Sequence, residues 1–519
     1  CPGFCSGPGV AESSEDFVTE ARNVGIQWAH TFSPTLFNQL MVGYNRVFNT
    51  MTSFAHRPEN QNMPAQLGIA GVGLGDINTA GMTSMGFTGG FNRIGSRLFT
   101  PFIGGTNVVH VADNFTVIRG SHNLKMGFSL RAMHMPVVGN TWFHGSMSFT
   151  QSWTSEDGSA SGPTGFSIAN LLLGLPDFRD RELHFDGFLN GRRWEEYRGY
   201  FEDSWKATPN LTLTLGLAYN FTTPQREDHD RFTNFNTETG QFVVAGVDAG
   251  SDAGISTDTD NLEPRIGFSW SPGGRGTTVI RGGYGIFHDV SAQGGVQGLY
   301  MNPPFAGSQI GVNDGITDLD PSPTRVQPVS FIDGTLMSLA DGFPPFARPD
   351  VSTFFGNLVT VDPDFEQGFV QQWNLNIQQE LPGSVLATIA YAGTRGTHLQ
   401  GKGWNLNANP PGFPVIFGGD SARAPFPQGQ FNSILSRGEL EYHALQVNVE
   451  KRFSHGLFFL ANYTWSHGLS NGLNQTIGVS QGSPYFPLIV PNDPSPDNAS
   501  SNTDLRHQFS ISYLYDLPL

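Results

Sequence analysis

The chain has 519 residues, and 28 Lys+Arg against 45 Asp+Glu leave a formal net charge of −17. Its 64 glycines and 34 prolines make up nearly a fifth of the sequence, against roughly 12% in an average protein, and its charged fraction of 14% compares with about 25%. This composition excludes a helical bundle or coiled coil, and the acidic balance argues against a nucleic-acid partner, which needs a basic stripe.

No window approaches the roughly 18 apolar residues of a membrane-spanning helix. The densest short runs are Leu171–Leu175 and Leu457–Ala461. That does not exclude a membrane barrel, whose strands are only half apolar. Forty-two phenylalanines suit a β architecture better than a disordered chain. Cys1 and Cys5 are too few for a disulfide framework. They read as a loop pair rather than a lipid anchor. No initiator Met or signal peptide opens the chain, and Tyr515–Leu519 stops at the start of a turn, so the sequence reads as a fragment.

Period two is the main signal. From Leu211 to Asn220 the odd positions are Leu211, Leu213, Leu215, Leu217 and Tyr219, and the even positions are small or polar. The length matches the 9–11 residues a tilted strand needs to cross a bilayer, and Tyr favours the interface. Trp373, Leu375 and Ile377 alternate with Asn374, Asn376 and Gln378. Leu445, Val447 and Val449 alternate with Gln446, Asn448 and Glu450. Phe459, Ala461, Tyr463 and Trp465 share a face, as do Phe509, Ile511, Tyr513 and Tyr515. A soluble sandwich also alternates, so the connections decide.

Tight turns are expected at Ser33-Pro34-Thr35, Arg119–His122, Thr208-Pro209-Asn210, Ser271–Gly274, Leu381–Ser384 and Ser454-His455-Gly456. Between them run long irregular stretches near 50–105, 136–194, 221–262, 289–367, 394–440 and 468–503. Compact soluble domains seldom carry such loops, whereas outer-membrane barrels alternate short periplasmic turns with long extracellular loops. The hairpins give about thirteen strands, with two more expected within 136–194, where Ser146–Thr150 alternates weakly. Bacterial barrels have even strand numbers, so further strands are expected from sequence outside the fragment. Lys125, Lys206 and Lys451 lie near proposed periplasmic turns, where an amine can snorkel to headgroups.

No motif for catalysis survives inspection. Gly478–Gly482 matches GxSxG but lacks a following helical pattern. Gly71–Gly75 lacks the third glycine and βαβ context of a dinucleotide loop. Asp258–Asn261 and Asp493–Asp497 are carboxylate-bearing loops without EF-hand spacing, and read as solvated acidic loops rather than calcium sites. Neither HExxH nor CxxC occurs, and no cofactor or metal is implied. The histidines, including His122 and His455 in turns, read as surface residues.

Four hairpins in chain order resemble TonB-dependent outer-membrane transporters of the Oar-like group. They are Trp205–Leu213 with Gly216–Tyr219, Asn261–Trp270 with Arg281–Phe287, Trp373-Asn374-Leu375 through Tyr391–Leu399, and Tyr442–Val447 with Lys451-Arg452-Phe453 and Tyr463–Ser466. The hairpins at 24–48 and 106–135 fit more loosely. The resemblance implies a 22-stranded barrel with an N-terminal plug, energised by TonB, that imports solutes too large or scarce for porins. Members often carry a carboxypeptidase-regulatory-like module before the plug. Plug, TonB-contacting segment and module are not identifiable in this chain.

The expectation is therefore an all-β fold, a transmembrane antiparallel up-and-down β-barrel. Residues 1–519 form part of a single outer-membrane barrel domain, with about 13–15 strands of an expected 22. It is not expected to be an enzyme. It belongs in the outer membrane of a Gram-negative bacterium, in contact with outer-membrane lipid. TonB is expected to act through the missing N-terminal region. Asn374, Asn376, Gln378, Gln446, Asn448 and Glu450 are expected to face the lumen. Phe305, Phe343 and Phe346, in loops rich in Phe and Pro, are candidates to capture an oligosaccharide, peptide or chelate. Loop-on-loop packing is the plainer role for each. The alternatives are a passive porin or surface-adhesion barrel, or a secreted β-rich glycan-binding protein or glycosidase whose apolar strand faces pack inward.

Overall fold

The structure is a computed structural model. It describes residues 15–517 apart from 54–55, 58–59, 61, 74–78, 98–99, 139–141, 157, 159, 161–162, 275, 290–297, 313–337, 355–356, 405, 408–425, 427–430, 455, 472–494 and 502. Cys1, Cys5, the GxSxG segment and His455 lie outside the described residues, as do parts of Gly71–Gly75 and Asp493–Asp497.

Thirteen strands form an antiparallel meander: β1 (Glu15–Ser33), β2 (Leu36–Ser53), β3 (Phe102–Arg119), β4 (His122–Val138), β5 (Asn190–Thr208), β6 (Leu211–Thr222), β7 (Leu262–Trp270), β8 (Thr278–His288), β9 (Phe369–Leu381), β10 (Val385–Trp404), β11 (Phe431–Ser454), β12 (Leu457–Ser470) and β13 (His507–Tyr515). Each pairs with its neighbours in chain order within one large sheet. The expected short turns all join consecutive strands at one rim. Their chemistry is local. Thr35 N–H donates to Ser33 Oγ, and Asn210 N–H to Thr208 Oγ1. Gly120 takes φ +60°, which a tight hairpin requires and L residues resist.

Residues directly opposite one another in a sheet share a face, so register assigns every side chain. The outer face carries exposed apolar side chains throughout. Ile26 is 71% exposed, Ile266 56%, Leu217 50% and Trp465 53%. Leaving such side chains in water forgoes about 1.5–3 kcal/mol each, and a contiguous apolar face of this extent marks contact with something other than water. Aromatic residues end the band. Tyr391 stacks on His443 and meets its Nδ1 at 2.8 Å. Tyr463 does the same with His507 at 2.9 Å. At the opposite end His122 stacks on Trp205.

Register corrects the reading of the lysines. Lys125 stands opposite Thr116 and Glu202, and Lys206 opposite Thr212, all on the polar inner face. Lys451 alone of the three points outward. Its Nζ donates to Gly383 O and Ser454 Oγ. A turn-proximal position does not decide the face; strand parity does.

The long connections also depart from expectation, because they are folded. Ser146–Phe149 and Phe178–His184 are strands, but they do not join the meander. They build a second, four-stranded sheet with Ser84–Phe87 and Ala306–Val312, drawn from three different loops. Thr233–Asn236 pairs with Gln241–Val244, and Leu358–Val361 runs parallel to the start of β11. Among the described residues, three clusters of buried side chains sit in this layer and against the start of β11, at Phe431, Ile434 and Leu435. Away from that end of β11, the strands turn their large apolar side chains outward.

Candidate functional site

The six predicted lumen residues lie on one face. Asn376 is opposite Ala390, which is opposite Gln446. Gln378, Thr388 and Asn448 form the next row, and Asn374, Ala392 and Ala444 the row on the other side. Glu450 follows at the turn end, opposite Leu386. The small residues of β10 thus leave a shallow strip between the amides of β9 and those of β11. Asn448 Nδ2 donates to Asn462 Oδ1 on β12, and Arg281 Nη1 donates to Gln378 Oε1 at 2.9 Å. Apart from Glu450 and the Arg281 guanidinium, these are uncharged amide donors and acceptors, suited to polar solutes.

A charged network on the same face escaped the sequence reading. Glu263 on β7 is 1% exposed. It accepts from Arg198 Nη2 at 2.6 Å, from Arg265 Nη2 at 2.7 Å and from the His288 N–H at 2.8 Å. The Arg265 guanidinium lies 4.5 Å over the Phe287 ring. Arg131 approaches Glu196 at 3.6 Å, and Tyr200 Oη donates to Asn114 Oδ1 at 2.7 Å. Parity was the available signal, since Glu263 and Arg265 alternate with Leu262, Pro264 and Ile266. The inner wall therefore has a charged arc on β4–β8 and an arc on β9–β13 where amides predominate and the carboxylates Glu380 and Glu450 lie at the turn end.

The capture candidates part company. Phe343 is 2% exposed and packed among Ile69, Val72, Met82, Met85, Met147 and Phe149, so its ring presents nothing to a ligand. Phe305 is half-buried, with its carbonyl accepting from Phe185 N–H. Phe346 is also half-buried, its ring 6.0 Å from that of Phe185, over which Arg348 lies. Nearby in the layer, Arg179 donates to the carbonyls of Gly342 and Ser338, and Arg181 to Pro344 O and Gln309 Oε1. These arginines tie the second sheet to the Phe343 loop. A cavity of about 330 Å³ lies elsewhere in the layer, walled by Phe235, Leu406, Phe426 and Leu435 and edged by Glu238, Asp362 and Arg437. Among the described residues, no group of three or more His, Cys, Asp and Glu is placed to hold a metal ion.

The family model of the outer membrane β-barrel domain matches residues 3–519. The chain belongs to that family. Solved structures similar to this barrel include the outer membrane transporter YddB from Escherichia coli, at 11% identity and TM-score 0.46, covering 88% of this chain and 44% of that one. The ferric-catecholate import receptor Fiu from E. coli K12 matches at 10% identity and TM-score 0.42, covering 98% and 53%. The FrpB iron transporter from Neisseria meningitidis matches at 9% identity and TM-score 0.39, covering 89% and 45%. The chain thus spans about half the length of these structures. A search of curated proteins found no match. Membership places this barrel in the outer membrane, and its exposed apolar face is the lipid-facing band.

The loop layer of the barrel carries a pH dependence. Burial holds the imidazoles of His144 and His184 down to about 3, with His56 adding to the first and Arg231 to the second. Burial, and then Glu182, push the Asp180 carboxyl up to about 7. Between about pH 4 and 6.5 the unfolded layer binds two protons on the histidines that the folded layer does not. The folded layer binds one on Asp180 that the unfolded does not. Over these three groups the unfolded state therefore holds one proton more, and their joint contribution to stability rises with pH. Above 6.5 only the Asp180 contribution remains, and stability falls slightly toward pH 7. Protease cleavage within the layer, followed from pH 4 to 7.5, should slow as pH rises toward 6.5. A flat profile would contradict this assignment.

Proposed function

We propose that this barrel is the wall of a TonB-dependent transporter, which takes up a large or scarce solute across the outer membrane. The observation that carries the reading is the pairing of a polar, partly charged inner face with a folded loop layer at the extracellular rim. Loops with their own sheet and cores can present a fixed surface to a ligand, which bare connections cannot. In this reading residues 1–519 are part of a single barrel domain, completed by further strands and filled by a plug that TonB displaces. Asn374, Asn376, Gln378, Gln446, Asn448 and Glu450 line the solute path. Phe305 and Phe346, and the walls of the 330 Å³ cavity, are first contacts for the ligand. Its chemistry, whether oligosaccharide, peptide or chelate, is left to the experiment. No catalytic step is part of this function.

The parent gene tests the reading. A signal peptide, a TonB-contacting segment and a plug encoded upstream of Cys1 are expected, together with uptake that falls to passive background when TonB is deleted. Equal uptake with and without TonB would instead support a passive porin.

A further inference from the structure

We infer that the lipid-facing side of β1–β3 is an interface for a second copy of this chain, with Trp28 of each copy donating to Asp113 of the other. The observation behind it is a carboxyl in the apolar band. On β3 the outward residues run Val117, Phe115, Asp113, Val111 and Val109. Asp113 stands opposite Leu40 on one side and Phe128 on the other. It lies about seven residues from the Gly120 turn, inside the 9–11 residues that a tilted strand needs to cross a bilayer. An acidic side chain on the lipid face is unfavourable at that depth, and ionisable groups within a membrane are as a rule paired.

One side chain reaches it. Asn38 Nδ2 donates to Asp113 Oδ1 at 2.6 Å, and also to Asn114 O at 3.3 Å. Among the described residues no other side chain bonds to the Asp113 carboxyl, which has two oxygens to satisfy. The hydrocarbon offers neither water nor a lipid donor at this depth. A second donor must come from protein.

This chain carries such a donor in the same row. Trp28 stands opposite Leu40, which stands opposite Asp113. Trp28 is 48% exposed and stacks on His30, and its indole N–H has no acceptor among the described residues. Donor and acceptor thus flank Leu40, one strand to either side. Two copies inserted in one membrane share an orientation, so a twofold axis relating them runs along the membrane normal. An axis beside Leu40 sets each Trp28 against the other copy's Asp113, twice over, and keeps the two carboxyls apart. Two strand spacings at a tilt of about 40° put Trp28 and Asp113 at depths roughly 6 Å apart, within reach of an indole. Leu40, Val42 and Phe115 supply the apolar contact. Faces meet rather than edges, so the outer hydrogen-bonding edge of β1, at the end of the sheet, stays open to further strands. Arg46, outward on β2 beyond Tyr44, meets its own copy, so added salt should strengthen association by screening that pair.

The test uses the full chain, carrying Cys1→Ser and Cys5→Ser, in phosphatidylcholine liposomes. Oxidation of Leu40→Cys with copper phenanthroline should give disulfide-linked dimers. Ile389→Cys, outward on β10, should not. Adding Trp28→Phe to Leu40→Cys should cut the dimer roughly tenfold, the effect of losing two hydrogen bonds between membrane-embedded surfaces. Trp28→Phe keeps an aromatic ring beside His30. Asp113→Leu is the second arm: it takes the carboxyl out of the lipid face, so it should fold at least as well as wild type and still lose the dimer. Monomers at every lipid dilution, equal cross-linking through Leu40→Cys and Ile389→Cys, or dimers that survive both Trp28→Phe and Asp113→Leu would each overturn the proposal.

Discussion

Replacing Phe343 with alanine is expected to open the loop layer and leave the barrel strands intact. The ring sits in a cluster that joins three loops, with Ile69 and Val72 from the first, Met147 and Phe149 from the second, and Phe343 itself from the fourth. The Arg181 guanidinium lies 5.6 Å from the ring centroid, and Phe343 N–H donates to Ala70 O at 2.9 Å. Gly145 has no Cβ because the ring occupies that space, which would place the two only 2.4 Å apart. Removing a fully buried Phe typically costs about 3–5 kcal/mol, part transfer and part cavity. Hydrogen exchange around 82–87, 146–149 and 178–184 should accelerate by roughly 100-fold or more. Exchange in β9–β12 should not change, since those strands draw nothing from this cluster. Should ligand capture fail while loop protection is unaltered, Phe343 would have to be a contact residue after all.

The contrast between strands and loops explains what the sequence could reveal. β6 was legible because five apolar residues alternate over its length and Thr208-Pro209-Asn210 can only turn. The same two signals, repeated, located every strand of the meander. That the residues proposed to line the lumen on β9 and β11 share one face followed from parity. Parity applied to β7 would have found Glu263 and Arg265 as well, and applied to Lys125 and Lys206 would have turned them inward. The loop layer was legible only in the two strands expected within 136–194, and not in how they pair. Ser146–Phe149 alternates weakly enough to be expected as a strand, but Ser84–Phe87 is four residues, too short for periodicity, and their pairing spans about sixty residues of chain. Phe178–His184 alternates, but its charged residues, Arg179 to Glu182, resemble a solvated surface until Arg179 and Arg181 are seen capping buried carbonyls. Phe343 looked like a ligand platform because Phe in a Pro-rich loop carries no mark of which side is covered.

The second large effect is expected at the Glu227–Arg231 pair, which fastens the third loop to the second. The side chains are 0% and 9% exposed. Arg231 donates through Nε and Nη2 to both oxygens of Glu227, and through Nη1 to the carbonyls of Asp186 and Gly187. It also donates to Leu189 O. Glu227 accepts the backbone N–H groups of Gly191, His229 and Arg231. Glu227→Ala strands a buried cation and three N–H groups, and should cost about 3–5 kcal/mol. Arg231→Met strands a carboxylate and leaves the carbonyls without donors, with a similar loss. The double variant should lose less than the two together, because neither charge then remains unpaired. Burial pushes the Glu227 carboxyl up, but Arg231 and the N–H groups outweigh it and hold it below its ordinary value. The contribution is therefore complete above the unfolded carboxyl pKa, about 4.3, and fades as pH falls through the lower folded value. Exchange at 186–191 and 227–231, measured at pH 7 and again near pH 4, should show the gap between wild type and Glu227→Ala narrowing on acidification. Strict additivity of the two single variants at pH 7 would mean that the pair is held apart by its backbone partners, and that the loops are fastened by the carbonyl cap alone.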